Sequence, residues 1–128
     1  MVAVDTNVLV RLITQDDAAQ AARATRLFRR ESVWIAKTVL LETNWVLGSL
    51  YGFAAKDIRD SLRSVAGLPN VHLEDPLLAA QALTWMDSGL DLADALHLAS
   101  RGEAAHFASF DSQFVKRASK LDVPMLLL

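Results

Sequence analysis

Five short apolar runs, separated mostly by segments of helical length, constrain what this chain can fold into. Val2 to Val4, Val33 to Ala36, Val71 to Leu73, Phe107 to Phe110 and Met125 to Leu128 are of strand length and bounded by polar or turn residues. Between them the spacing predicts helices. One starts at Val8 to Ile13, and one rich in Ala and Arg runs from Asp16 or Asp17 to about Arg30. Thr38 caps a third that runs to about Leu50, and Ala55 to Ala66 is a fourth, ended by Gly67 and Pro69. Asp75-Pro76 opens a helix that ends near Gly89, Asp91 caps one that ends at Gly102, and a short one covers Phe114 to Ala118. Strands alternating with helices predict an α/β fold, with a central, mainly parallel sheet and helices on both faces. No repeat, low-complexity tract or linker interrupts the pattern, so residues 1–128 are expected to form a single domain.

Composition narrows the function classes. Cys is absent, which excludes a disulfide scaffold, a thiolate zinc site and a Cys nucleophile, and is compatible with a cytoplasmic location. No apolar run approaches the ~20 residues of a membrane span. The first residues carry no basic leader, and Asp5 and Arg11 interrupt the apolar stretch, so neither a signal peptide nor a membrane partner is expected. A net charge of −2 argues against a general nucleic-acid coat protein. It does not argue against a nuclease, because bound cations offset clustered acids and local basic patches can steer a substrate.

Ligands of parallel α/β sheets bind beyond the carboxyl ends of the strands, and two acids fall there. Asp5 ends the first strand. A charge in that position is costly unless it is paired or binds a metal. The alternative is a cap for the following helix, and on Asp5 alone the two readings weigh the same. Asp111 repeats the pattern after Phe107-Ala-Ser-Phe110, and two strand-end acids in one small sheet say more than either alone. Glu42 sits in Val39-Leu-Leu-Glu42-Thr-Asn-Trp45-Val-Leu47, a segment apolar nearly all round and so expected to be buried. With Thr38 as cap, a capping box needs an acid at Leu41, so Glu42 is not a capping residue. A buried salt bridge to an Arg is the alternative, and a functional acid is the preferred reading. Asp91 and Asp94 open a further helix, Asp91 as the cap and Asp94 in the first turn as the site candidate.

Four carboxylates at one edge repel one another, and their presence together calls for cations. An all-oxygen donor set suits Mg²⁺ or Mn²⁺ over Zn²⁺, and such a site serves phosphodiester hydrolysis. The histidines add little: His97 belongs to an apolar helix, while His72 and His106 lie near strand starts without a partner. Trp34, Trp45 and Tyr51 read as core, with one of them at a partner groove as the second reading. Arg23, Arg26 and Arg30 share a helical face with Arg29 beside it, and Lys56, Arg59 and Arg63 share another. Each is a solvated face or a set of phosphate contacts, and the sequence does not choose.

In this order the residues resemble a family. Val-Ala-Val-Asp5-Thr6-Asn7 is similar to the first motif of PIN domains, and Thr38-Val-Leu-Leu-Glu42 to the second. Asp91-Leu-Ala-Asp94-Ala-Leu-His-Leu-Ala resembles the third, and Phe107-Ala-Ser109-Phe-Asp111 the fourth, with Ser109 and Leu92 as mild departures from the usual Thr and Phe. The length and the third motif look most like the VapC toxins of toxin–antitoxin pairs. The resemblance implies a PIN-like three-layer α/β/α sandwich and an Mg²⁺- or Mn²⁺-dependent endoribonuclease acting on RNA. It also implies a homodimer, inhibition by a cognate antitoxin, and contact with DNA only through that antitoxin if at all. By this match Asp5, Glu42, Asp94 and Asp111 are the catalytic metal-site acids, with Thr6, Asn7, Asp91 and Ser109 in support. A haloacid-dehalogenase-type phosphatase would need a second Asp where Asn7 stands. A PIN-fold binding module with weak or no catalysis is the rival, and the four intact acids argue against it.

Overall fold

Alternation of short, largely apolar runs with segments of helical length produces twelve elements in the computed structural model, which describes residues 1–128. They are β1 (Val2–Ala3), α1 (Thr6–Thr14), α2 (Ala18–Arg30), β2 (Val33–Ile35), α3 (Lys37–Ser49) and α4 (Ala55–Ala66). Then come β3 (Val71–Leu73), α5 (Pro76–Met86), α6 (Leu92–Ala99), β4 (Phe107–Ser109), α7 (Ser112–Ser119) and β5 (Met125–Leu127). Every strand pair is parallel, as the alternation requires. The strands form one sheet of order β1-β2-β3 and another of order β4-β5. No helix is long and apolar enough to cross a membrane. The chain divides into two compact units, Met1–Pro76 and Leu77–Leu128.

In the first unit β2 is the middle strand, with Val33 opposite Val2 on one side and Val71 on the other. Its period of two buries Val33 and Ile35 completely and turns Trp34 outward at 36% exposure. Trp34 is therefore not the core residue its composition suggests. Helix α1 packs on α2 and α3, and α3 on α4. Leu9 and Val10 of α1, Ala21, Ala24 and Phe28 of α2, and Leu40 and Leu47 of α3 are buried. In the second unit β4 and β5 pair from Phe107–Met125 to Ser109–Leu127, and α7 packs on both, with Phe114 edge-on to Phe107.

Two details correct the sequence reading of α3. Its first residue is Lys37, and its cap position is Ala36, which has no side chain able to cap; Thr38 lies one residue inside the helix. The work falls to Glu74, just past β3, whose Oε1 accepts the Lys37 backbone N–H at 2.9 Å. Asp75, held at a φ of 48°, adds an ion pair from Oδ2 to Lys37 Nζ at 2.8 Å. A strand-end acid thus fixes the start of a helix 37 residues earlier in the chain, a long-range cap that local spacing does not reveal. The buried face of α3 is also less apolar than expected, because Thr43 and Asn44 lie on it and the Thr43 hydroxyl has no partner.

Replacing Glu74 with Ala is expected to cost about 1 kcal/mol, the usual worth of a helix N-terminal acceptor, while Glu74→Gln keeps most of it. Urea unfolding followed by circular dichroism checks this; equal midpoints for wild type and Glu74→Ala would remove Glu74 from the cap.

Candidate active site

Asp5 is both a strand-end acid and a helix cap. The chain leaves β1 through buried Val4, and Asp5 in extended backbone accepts the Val8 N–H on Oδ1 at 3.2 Å, starting α1 at Thr6 rather than Val8. The cap occupies one carboxylate oxygen and leaves Oδ2 without a hydrogen bond. Because α1 packs on α3, Asp5, Thr6 and Asn7 face Thr38, Val39 and Glu42 across one cavity of about 290 Å³. Glu42 lies on the exposed side of α3, opposite its buried face, and its carboxylate makes no ion pair or hydrogen bond. The buried salt bridge weighed as an alternative is absent, and the expected burial is corrected to exposure. Trp45, one turn further along α3, is 59% exposed, so it too is not core.

The second unit gathers the other acids. Asp91 caps α6 by accepting the Ala93 N–H on Oδ2 at 3.0 Å. Asp111 caps α7, its Oδ1 accepting from Gln113 and Phe114 at 3.0 and 3.1 Å, which begins that helix at Ser112 rather than Phe114. The Ser109 hydroxyl in turn accepts the Asp111 N–H at 3.0 Å. Asp94 is the half-buried member. Burial raises its pKa first, and the negative charges of Asp91 and Asp111 add to the rise, against a smaller opposing effect of His97. Asp91 and Asp111 are therefore near enough to disfavour the charged form of Asp94.

The predicted acids thus fall into two sets, Asp5 with Glu42 and Asp94 with Asp111. Within neither unit do three His, Asp or Glu side chains converge tightly enough to hold an ion unaided. The donor set still fits a hard divalent cation. It consists of carboxylates and neutral side-chain oxygens, and Asp5 keeps one uncommitted oxygen beside the unpaired Glu42.

Sequence reasoning missed a polar network beside Asp5. Arg11 donates from Nε to Gln20 Oε1 at 2.7 Å, and from Nη1 to the Tyr51 hydroxyl at 2.9 Å and to Asp16 at 3.2 Å. The Tyr51 hydroxyl donates to Asp16 Oδ2 at 2.6 Å, and Thr14 to Asp16 Oδ1 at 2.8 Å. These hydroxyls, Tyr51 first, hold the Asp16 carboxyl below its usual range. Tyr51, read as core from its composition, is half-buried and serves as a tether. The available signal was Arg11 itself, a charge inside the apolar run of α1. In the second unit His97 and His106 line one open cavity with Ser100 and Arg101, a pairing that their separation in sequence conceals.

The model of the PIN domain family matches residues 2–120, a span that includes all four acids and most of each unit. No protein with a curated description matches the chain.

Burial and like charge around Asp94 have a consequence for stability. A carboxyl whose pKa is raised on folding binds its proton more tightly in the folded state, so stability falls as pH rises from the unfolded pKa through the folded one. Asp94→Asn removes that loss and is expected to raise Tm at neutral pH by on the order of a few degrees, with the gain disappearing at acid pH. Thermal melts across pH check this, and a variant no more stable than wild type at pH 7 would sink it.

Proposed function

The chain belongs to the PIN domain family, whose members are generally nucleases, and from that premise we propose that it is a metal-dependent endoribonuclease hydrolysing RNA phosphodiester bonds. The observation that carries this reading is the placement of Asp5 and Glu42 on one cavity, each with carboxylate oxygen uncommitted. Asp94 and Asp111 complete the proposed set, in one functional domain over residues 1–128; the continuous family match across both units supports treating them together.

On this reading Asp5, Glu42, Asp94 and Asp111 hold Mg²⁺ or Mn²⁺. When bound, the cation supplies Lewis-acid charge at the phosphate and lowers the pKa of a water. The protein's own groups supply order. The Val8 N–H sets the rotamer of Asp5, and Ser109 fixes the backbone of Asp111. Asn7 offers amide donors at the mouth of the acidic cavity, and Thr6 and Asp91 support their neighbours.

The finer identity is the toxin of a toxin–antitoxin pair of the VapC kind, acting in the cytoplasm as a homodimer and silenced by a cognate antitoxin through which any DNA contact is made. The wording of the third motif, from Asp91 to Ala99, supports it.

Purified protein is expected to cut total RNA into discrete products with Mg²⁺ or Mn²⁺ and not with chelator. Outer partners of metal ligands are worth about 10- to 100-fold in activity, so Asp5→Asn, Glu42→Gln and Asp94→Asn should each cost about 100-fold or more while remaining folded. Full activity in any of them would remove that residue from the site. Expression in cells should arrest growth, with relief by a small neighbouring gene; normal growth with active enzyme present would refute the toxin role and leave the nuclease standing.

A further inference from the structure

Asp5 and Asn7 border a second cavity, of about 480 Å³, which Glu42 does not line. Its polar lining is made of Asp5, Asn7, Arg11, Gln20 and Arg23. Apart from Asp5, these are donors. Gln20 spends its carbonyl oxygen on Arg11 and so has its amide N–H groups to offer, and Arg11 has Nη2 left over once Nε and Nη1 are engaged. Arg23 stands exposed without an ion pair. A cavity rich in donors, with two guanidinium groups, suits an oxyanion, and a guanidinium clamped from two sides loses little freedom when it binds one.

We propose that this cavity is a phosphate subsite for the RNA strand, in which Arg11 and Arg23 hold the phosphodiester next to the one being cut. The assignment rests on the nuclease reading for the identity of the strand. It follows from the shared wall: a strand whose scissile phosphate lies over Asp5 and Glu42 continues past Asp5 and Asn7 into the donor-lined space. It also selects the basic face that serves the substrate. Arg23 of α2 lines this cavity, whereas Arg59 of α4 is paired with Asp60 at 3.2 Å. Tyr51 and Asp16 act here as positioning residues. They touch no substrate and hold Arg11 in place.

The test is binding of a fluorescent single-stranded oligoribonucleotide to the full chain in chelator, over a range of salt, beside cleavage kinetics with metal. Arg23→Gln should weaken binding about 5- to 10-fold and lower the slope of log affinity against log salt by roughly 0.7, the loss of one phosphate contact. Its KM should rise with kcat retained, and Arg23→Lys should recover much of the loss. Tyr51→Phe keeps every charge, so it should weaken binding without changing the salt slope. Lys120→Gln, exposed and outside the cavity, should change neither. Wild-type affinity and slope in both Arg23→Gln and Arg11→Gln would overturn the subsite, as would an effect confined to binding of an acidic protein partner. Absence of cleavage by the wild-type chain would strike at the nuclease reading alone, because the binding arm still decides the cavity.

Discussion

The hydrogen bond from Val8 N–H to Asp5 ties strand, helix and candidate site into one arrangement. It ends β1, sets the first turn of α1, and thereby determines where Thr6, Asn7 and Arg11 stand. Two cavities share Asp5 and Asn7 as a wall, one acidic through Glu42 and one basic through Arg11 and Arg23. A phosphodiester needs both signs nearby: oxygens for a cation where charge develops, and donors for the phosphates that are not reacting. The packing of α1 against α3 on one side and α2 on the other places these two chemistries next to each other.

Much of this was readable from residues alone, because the signals were local. Short apolar runs ending at an acid gave β1 and β4 with Asp5 and Asp111 after them, and Asp17, Asp91 and Asp111 each cap the helix that follows. What escaped was set by distance. Thr38 looks like a cap in sequence, yet the acceptor comes from Glu74 through sheet pairing of β2 with β3. Tyr51 looks apolar, yet its hydroxyl closes a network between α1 and the start of α2. Trp34 and Trp45 look like core because large aromatics bury well, but strand period and helix phase turn both outward. Glu42 was picked out for being a charge in a buried helix. It is instead a charge on the open face of a helix whose other side is buried, so the argument for it changed.

The acids also set stability against chemistry. Asp94 is half-buried beside two other carboxylates, and burial and like charge both disfavour its ionised form. A folding domain would gain from replacing it. Holding such a group in the charged form near neutral pH is useful when a cation is to be attracted there, and strain of this kind is commonly found at functional sites. The Asp16 carboxyl makes the contrast. It is satisfied by Tyr51, Thr14 and Arg11, its pKa is lowered, and it serves to hold a neighbour in place.

Capping and negative charge are separable in this chain for a chemical reason. Asn caps a helix about as well as Asp, so Asp→Asn at Asp5, Asp91 or Asp111 takes away charge while keeping an acceptor for the first turn. Ala at the same positions would lose both, adding about 1 kcal/mol of lost cap to any loss of function. Glu42 and Asp94 cap nothing by their side chains, so their removal leaves the helix starts intact. The first group holds helix starts through its side chains and the second does not. That difference makes Asp→Asn the informative substitution at the capping positions, since a loss of activity there reports on charge and not on a frayed helix.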